Sequence, residues 1–107
     1  MKNKTYKLSK LERNRKSIIY NDLSHCVVCG SSYNINLHEV FYGKNRLNSI
    51  KYDCVMPLCP EHHTYGKFAI HNNRDMDLFY KKMFQEKLEK SITRKEFISI
   101  FHINYLQ

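Results

Sequence analysis

The sequence predicts a small α+β fold, and three observations support this class. Two short segments rich in strand-forming residues, 36–42 and 55–58, precede residue 60. Two helix patterns, the second with a capping box at its start, occupy the C-terminal third of the chain. Two pairs of metal-binding residues flank the strand segments, and we expect them to hold a β-hairpin closed. At 107 residues the chain has the size of one domain, with a basic arm over 1–23 and the main unit over 24–107.

The N-terminal arm is predicted to form a basic helix. Apolar residues recur at loosely helical spacing from Leu8 to Leu23. Residues 1–16 contain seven Lys or Arg and one Glu, whereas residues 17–73 contain equal numbers of each sign. A basic arm on a neutral core, in a chain of net charge +8, favours a polyanionic partner, most simply nucleic acid. A solvated tail is the alternative interpretation.

The residues between the two strands are predicted to form a loop, whereas the residues after the second strand are predicted to form a helix. Residues 43–46 are predicted to form a polar loop. A short helix is expected to start at Cys59, because Pro60 suits the first helical position and Glu61 complements the positive helix end. Gly66 is expected to end it.

The strongest helix prediction covers Asn73 to Lys90. Its apolar residues recur at three- and four-residue steps: Met76, Phe79, Tyr80, Met83, Phe84 and Leu88. A second helix is expected after the capping-box pattern from Thr93 to Glu96. An aromatic stripe of this kind favours core packing, and a protein-docking surface is the alternative.

Two residue pairs with the same spacing predict a structural zinc site. Cys26 and Cys29 form the first pair, Cys59 and His62 form the second, and 29 residues separate the two pairs. Structural zinc takes four thiolate or imidazole ligands in a tetrahedron, so these four residues form a predicted zinc clip. Buried free thiols are the alternative. Cys54 lies outside both pairs and is predicted to be a buried thiol.

A second group of polar residues surrounds the zinc clip. On a helix, His63 points about 100° away from its neighbour His62 and therefore faces a different surface. His38 and Glu39 point to opposite faces of a strand, so one of them should face His63. His71 could approach the same place if the intervening loop curls back.

This second group has the residue types that phosphodiester hydrolysis requires, namely a base and ligands for a divalent cation. The candidate catalytic residues are His38, Glu39, His63 and His71, of which the three histidines are candidate ligands of a catalytic divalent ion. The candidate phosphate-binding residues are Lys44, Arg46 and Arg74.

Two runs in this region resemble the HNH nuclease motif. They are HEVFYG, starting at His38, and VMPLCPEHH, starting at Val55. The chain is similar to small HNH-type proteins encoded in phages and prophages of low-GC bacteria, over about residues 26–106. The resemblance implies a ββα-metal core tied by zinc, with single-metal cleavage of DNA that usually employs magnesium or manganese.

The resemblance also implies roles for individual residues. His63 corresponds to a ligand of the catalytic ion, and His71 to a further ligand. Many family members have a His pair or Asp-His where this chain has His38-Glu39. Either His38 is the ligand and Glu39 the base, or His38 is the base and Glu39 assists. The position of the motif's central Asn is taken by Cys54, which leaves a non-catalytic, zinc-stabilised nucleic-acid-binding module as the alternative function.

Partners and location follow from the same features. DNA is the expected partner, and a homodimer would allow both strands to be cut, whereas a monomer would nick one. The apolar runs are too short to cross a bilayer and no signal peptide is evident, so we expect a cytoplasmic protein, in the host cytoplasm if it is phage-encoded. Four Cys with CxxC spacing in such a compartment indicate metal rather than disulfides.

Overall fold

A two-stranded antiparallel hairpin lies at the centre of the fold. The computed structural model describes residue 10 and residues 13–106. Strand β1 spans Asn36–Glu39 and pairs in antiparallel fashion with β2, which spans Val55–Leu58. All four residues of β2 are buried, whereas His38 is the one buried residue of β1. Together with the helices described below, the hairpin confirms a small α+β fold.

Strand β1 is shorter than the sequence predicts. The predicted strand over 36–42 ends at Glu39, although Val40 still donates a backbone hydrogen bond to the Cys54 carbonyl. The next amide, that of Phe41, donates to the Ser49 hydroxyl instead of to a strand carbonyl. The ladder therefore stops where a side chain replaces the partner strand.

The connection between the strands is helical, so the predicted polar loop over 43–46 is wrong. Gly43–Asn45 form one turn of 3-10 helix, and α1 follows at Arg46–Lys51. Gly43 adopts a φ of +71°, which glycine tolerates and which turns the chain into the helix. The helix is anchored by Ser49, which is fully buried and donates its hydroxyl hydrogen to the Cys54 carbonyl.

A single wide helical turn follows β2. The predicted short helix is present: Pro60 is helical and Glu61–Tyr65 form a π-helical turn. The Gly66 amide donates to the Glu61 carbonyl five residues earlier. A Cβ on Gly66 would lie 2.6 Å from that carbonyl oxygen, so the turn requires glycine at this position. Turns of this type are frequent at functional sites.

Two longer helices complete the fold, as the sequence predicts. Helix α2 spans Arg74–Leu88, with the Asn73 side chain capping its first turn, and α3 spans Arg94–Phe101. The predicted capping box at Thr93 is present in full. Among the helices of the described residues, none has the length and apolarity needed to cross a membrane.

The core is mainly aromatic and joins α2, α3 and the hairpin. The Phe41 ring lies 4.5 Å from that of Phe101 and 5.5 Å from that of Phe97, and all three are fully buried. Phe84 brings α2 into the same core, which agrees with the prediction that the aromatic stripe packs inward. Phe79, by contrast, is 57% exposed.

The N-terminal segment differs from its prediction. A helix is expected from Leu8 to Leu23. Residues 10 and 13 are helical, but residues 14–23 are not, and residues 1–9, 11 and 12 lie outside the described part. The Ile18 amide instead donates to the Asp53 carbonyl, and Ile18, Ile19 and Tyr20 pack against the core. Tertiary packing therefore overrides the weak helical periodicity here.

Candidate metal centre

The four residues of the predicted zinc clip converge on one point. Their ligand atoms all lie within 4.8 Å of one another. The Sγ atoms of Cys29 and Cys59 are 3.7 Å apart, and His62 Nδ1 lies 3.3 Å from Cys59 Sγ and 3.8 Å from Cys26 Sγ. Cys26 and Cys59 are buried, while Cys29 is exposed.

These separations match a tetrahedral zinc site. With Zn–S near 2.3 Å and Zn–N near 2.05 Å, a tetrahedron places two sulfurs about 3.8 Å apart and a sulfur and a nitrogen about 3.6 Å apart. The observed distances lie within a few tenths of an ångström of these values. The cluster of Cys26, Cys29, Cys59 and His62 could therefore hold a metal such as zinc.

The first pair of ligands is fixed by backbone hydrogen bonds. The Cys26 amide donates to the Ser31 carbonyl and the Gly30 amide donates to the Cys26 carbonyl, with Gly30 at a φ of +79°. The Val27 amide donates to the Pro57 carbonyl, which attaches this turn to β2. The turn is thus already positioned to face the second pair.

The electrostatic environment of Cys26 favours the thiolate form that a metal requires. Burial raises the pKa of this thiol, but hydrogen bonds from the backbone amides of Cys59, Cys29 and Val28 outweigh burial and leave the pKa lowered overall. Burial raises the pKa of the Cys54 thiol instead, and Cys54 is fully buried outside the clip, as predicted.

A second cluster forms beside the clip from His38, His63 and His71, which we call the histidine cluster. One ring nitrogen from each lies within 4.8 Å of the others. The Nε2 atoms of His63 and His71 are 3.2 Å apart, and the His38 ring centroid lies 5.2 Å from that of His63 and 5.0 Å from that of His71. The structure therefore brings together the three histidines that the sequence singled out.

Each histidine reaches the cluster by a different route. His38 occupies the buried face of β1, opposite Met56. His63 follows His62 in the π-helical turn, so the two rings serve different clusters, as expected. The amides of Ile70 and His71 donate to the carbonyls of His62 and His63, respectively. These two bonds fold the intervening loop back and deliver His71.

His38 is the most buried member of the histidine cluster, at 3% exposure. Burial, reinforced by the charges of His63, His71 and Lys81, lowers its pKa to about 3. Burial, with His71, also lowers the pKa of His63, against the opposing charge of Glu39. Both rings are therefore neutral near pH 7, the state in which imidazole binds a metal.

One ring nitrogen of His38 lacks a hydrogen-bond partner among the described residues. This nitrogen, Nε2, is buried. A buried polar atom without a partner is costly, and a metal ion would satisfy this one. The His63–His71 nitrogen separation of 3.2 Å is also close to the value of about 3.3 Å between two imidazole ligands on tetrahedral zinc. The donor set thus fits a divalent ion that accepts imidazole.

Glu39 is not a member of this cluster, although its charge acts on His63, and it binds two arginines. Its Oε2 accepts a hydrogen bond from Arg15 Nη1 and its Oε1 accepts one from Arg46 Nε, at 2.5 and 2.6 Å. Arg15 also donates to the Leu37 carbonyl, at 3.2 Å. The carboxylate is only 10% exposed, so it holds both guanidinium groups at one edge of β1. Sequence reasoning placed Arg15 in the basic arm and missed this contact.

Tyr42 forms a further contact of the histidine cluster that the sequence did not reveal. Its ring lies 5.0 Å from that of His71, and its hydroxyl donates to Asp77 Oδ2, at 3.1 Å. Lys81 donates to the same oxygen, at 2.9 Å, and its Nζ lies 4.3 Å from the Tyr42 ring centroid. Burial and the charge of Asp77 raise the pKa of Tyr42 to about 12, so this phenol is not a proton acceptor near neutral pH.

The three predicted phosphate-binding residues have different surroundings. Arg46 is paired with Glu39, as described above. Arg74 is exposed at the start of α2, and its charge acts on Tyr42. Lys44 is exposed in the 3-10 turn. Arg46 and Arg74 are therefore linked to the histidine cluster through a neighbouring side chain, whereas Lys44 lies on the open surface.

The fold and its sites define a small α+β protein with a Cys₃His cluster that could hold a metal such as zinc. Comparison with protein-family models, with curated protein sequences and with solved structures finds no match to this chain. Its function must therefore be inferred from its residues and their geometry.

Proposed function

We propose that this protein is a metal-dependent endonuclease that hydrolyses DNA phosphodiester bonds, with a ββα-metal core of the HNH type. In this core β1, the π-helical turn and the loop after that turn carry the histidine cluster, and the zinc clip ties the turn to the hairpin. The observation that carries the proposal is the buried, unpartnered Nε2 of His38 inside a group of three imidazoles. A merely structural histidine at this position would be expected to have a hydrogen-bond partner.

The donor set bears on which ion would occupy the histidine cluster. The expectation from the HNH resemblance is magnesium or manganese. Imidazole suits first-row transition metals, whereas magnesium prefers carboxylate, carbonyl and water oxygens. The cluster of described residues contains three imidazoles and no carboxylate. We therefore propose manganese or another transition metal as the working ion, which would supply charge neutralisation at the reacting phosphate.

The chain's own residues have separate roles in this proposal. His38, His63 and His71 would hold the ion, and the lowered pKa values of His38 and His63 leave the ring nitrogens of these two residues available to it. Arg15 and Arg46, held side by side by Glu39, would bind the oxygens of the phosphate to be cleaved, for which guanidinium groups are well suited.

The general base follows from the same contacts. His38 lies within the ligand set, which leaves Glu39 as the acceptor for the proton of the attacking water. Both carboxylate oxygens are bound to guanidinium groups in this structure. A phosphate that draws one arginine away would release an oxygen of Glu39 to take that proton. Substrate binding and activation of the base would thus be coupled.

The alternative function is a non-catalytic, zinc-stabilised nucleic-acid-binding module. One observation favours it: Glu39 is fully engaged in ion pairs, as a purely structural carboxylate would be. The net charge of +8 suits either function equally well. Cleavage is therefore the property that must be measured.

The experiment is nicking of supercoiled plasmid by zinc-loaded protein with added Mn²⁺, Mg²⁺ or EDTA. We expect nicking with Mn²⁺ that exceeds nicking with Mg²⁺ and is lost in His63→Ala and in His71→Ala. His25→Ala is the matched control, because His25 is an exposed histidine outside both clusters, and it should remain active. A linear product would indicate that two copies act together, and an open circle would indicate cleavage of one strand.

Glu39→Gln tests the role of the base. This change keeps the size of the side chain but removes its ability to take up a proton, so nicking should fall at least tenfold while DNA binding is retained. If no metal supports cleavage of any DNA form, and the protein still binds DNA in a salt-sensitive way, the endonuclease proposal is wrong and the binding module is correct.

A further inference from the structure

A cavity of about 440 Å³ lies between α2 and the C-terminal segment, beside the histidine cluster. We call it the α2 pocket. The lining residues that matter for its chemistry are Tyr42, Arg74, Leu78, Lys82, Ile103 and Tyr105. Tyr42 belongs to both places, because its ring also lies 5.0 Å from that of His71. A ligand in the pocket would therefore lie next to the histidine cluster.

The charges around the α2 pocket favour an anionic ligand. Arg74, Lys81 and Lys82 line it, against the single carboxylate of Asp77. Lys81 is ion-paired with Asp77, whereas Arg74 and Lys82 are exposed. The pocket is thus positively charged, with its exposed cations on α2. Guanidinium and ammonium groups so placed are suited to a phosphate group.

The remaining lining is apolar and would be left uncovered by a phosphate ion alone. Ile103 is 52% exposed, and Leu78 and Tyr105 are partly buried. A volume of about 440 Å³ falls within the range of roughly 300–1,000 Å³ for small-molecule sites. A nucleotide joins a flat, largely apolar ring system to an anionic phosphate, which matches the two halves of this lining.

We propose that the α2 pocket binds one unpaired nucleotide of a DNA strand. Its phosphate contacts Arg74 and Lys82, and its base lies against Ile103 and Tyr105. This inference rests on the proposed nuclease function and specifies its substrate. Because the pocket adjoins the histidine cluster through Tyr42, the unpaired nucleotide would lie beside the phosphate that is cleaved.

The preferred substrate would then be DNA in which a nucleotide is already out of the helix. Extruding a base from a perfect duplex requires that base to be unpaired and unstacked, and a bulged or single-stranded nucleotide avoids most of that cost. The protein should therefore bind a duplex with one extrahelical nucleotide more tightly than the same duplex without it.

The first test is a titration of the zinc-loaded, full-length protein followed by backbone amide NMR shifts. The probes are 2′-deoxyadenosine 5′-monophosphate, inorganic phosphate and 2′-deoxyadenosine. We expect the monophosphate to shift the amides of Lys82, Ile103 and Asn104, with weaker effects of the other two probes. Equal shifts with inorganic phosphate would show an anion site only and would overturn the nucleotide pocket. This readout does not depend on cleavage.

The second test compares DNA forms by fluorescence anisotropy with the His71→Ala protein, which should not cleave. We expect the bulged duplex to bind about tenfold more tightly than the perfect duplex. This advantage should fall at least threefold in Lys82→Ala and in Ile103→Ser. Lys95→Ala, an exposed lysine on α3, is the matched control and should keep it.

The two proposals can fail separately in these experiments. Equal binding of both duplexes, together with metal-dependent nicking by the wild-type protein, would overturn the α2 pocket and leave the endonuclease in place. A bulge preference that depends on Lys82 and Ile103, without nicking under any condition, would support the pocket and remove the enzyme.

Discussion

Acidification should destabilise the fold through His38. An ordinary histidine in the unfolded chain has a pKa near 6.5, whereas burial and the neighbouring charges lower the folded-state pKa of His38 to about 3. Below pH 6.5 the unfolded chain takes up a proton that the folded protein does not. The stability that neutral His38 contributes is therefore present above pH 6.5 and is lost as the pH falls toward 3.

The size of the effect follows from the two pKa values. At pH 5.0 the unfolded-state histidine is almost fully protonated and native His38 is almost fully neutral. Linkage then gives a loss of about 2 kcal/mol of unfolding free energy between pH 7.5 and pH 5.0. The result is insensitive to the folded-state pKa, since any value below about 4 gives nearly the same loss at pH 5.0. His63 acts in the same direction.

The assay is urea unfolding of the wild-type protein and His38→Phe at both pH values, without a metal added to the histidine cluster. The zinc clip is also acid-sensitive, but it is common to both proteins, so its effect cancels in the difference. We expect the wild type to lose about 2 kcal/mol more than His38→Phe. Equal losses would show that His38 is not held neutral by burial, and the reasoning would be refuted.

Three further predictions concern the zinc clip and the helices. Gly66→Ala places a Cβ 2.6 Å from the Glu61 carbonyl, so it should displace the π-helical turn and weaken metal binding at both clusters, measured by Co²⁺ absorption. Cys29→Ser should release a tightly held zinc ion, as measured by a chromogenic chelator, whereas Cys54→Ala should keep it because Cys54 lies outside the clip. Thr93→Ala removes the capping box of α3 and should cost about 1 kcal/mol in urea unfolding; an unchanged midpoint would contradict the role of the cap.

The features that the sequence predicts correctly depend on signals within a few residues of each other. The bounds of β2, the start of α2 near Asn73, the Thr93 capping box and the short turn after Cys59 all follow from local chemistry. The two residue pairs of the zinc clip share a spacing that proteins use for tetrahedral metals. This shared spacing allows all four residues to be assigned to one site, although the first and the last are 36 positions apart.

The features that the sequence misses depend on contacts between distant residues. Arg15 and Glu39 are 24 residues apart, and Tyr42 and Asp77 are 35 apart. No periodicity links such positions, so Arg15 was assigned to the arm and Tyr42 to the strand. The early end of β1 has a similar cause, because the Phe41 amide donates to the hydroxyl of a serine in α1, a contact that no local sequence pattern predicts.

The two clusters are mechanically linked, because consecutive residues of one π-helical turn belong to them. His62 contributes to the zinc clip and His63 to the histidine cluster, and the backbone carbonyls of both accept the hydrogen bonds that bring back the loop carrying His71. An ion in the clip would restrain His62 and thereby fix the adjacent His63 and the loop attached to both. Metal binding by the clip would therefore do more than stabilise a small hydrophobic core. An ion in the clip would also set the geometry of the second cluster, so loss of zinc from the clip should weaken metal binding by the three histidines even though none of them is a clip ligand.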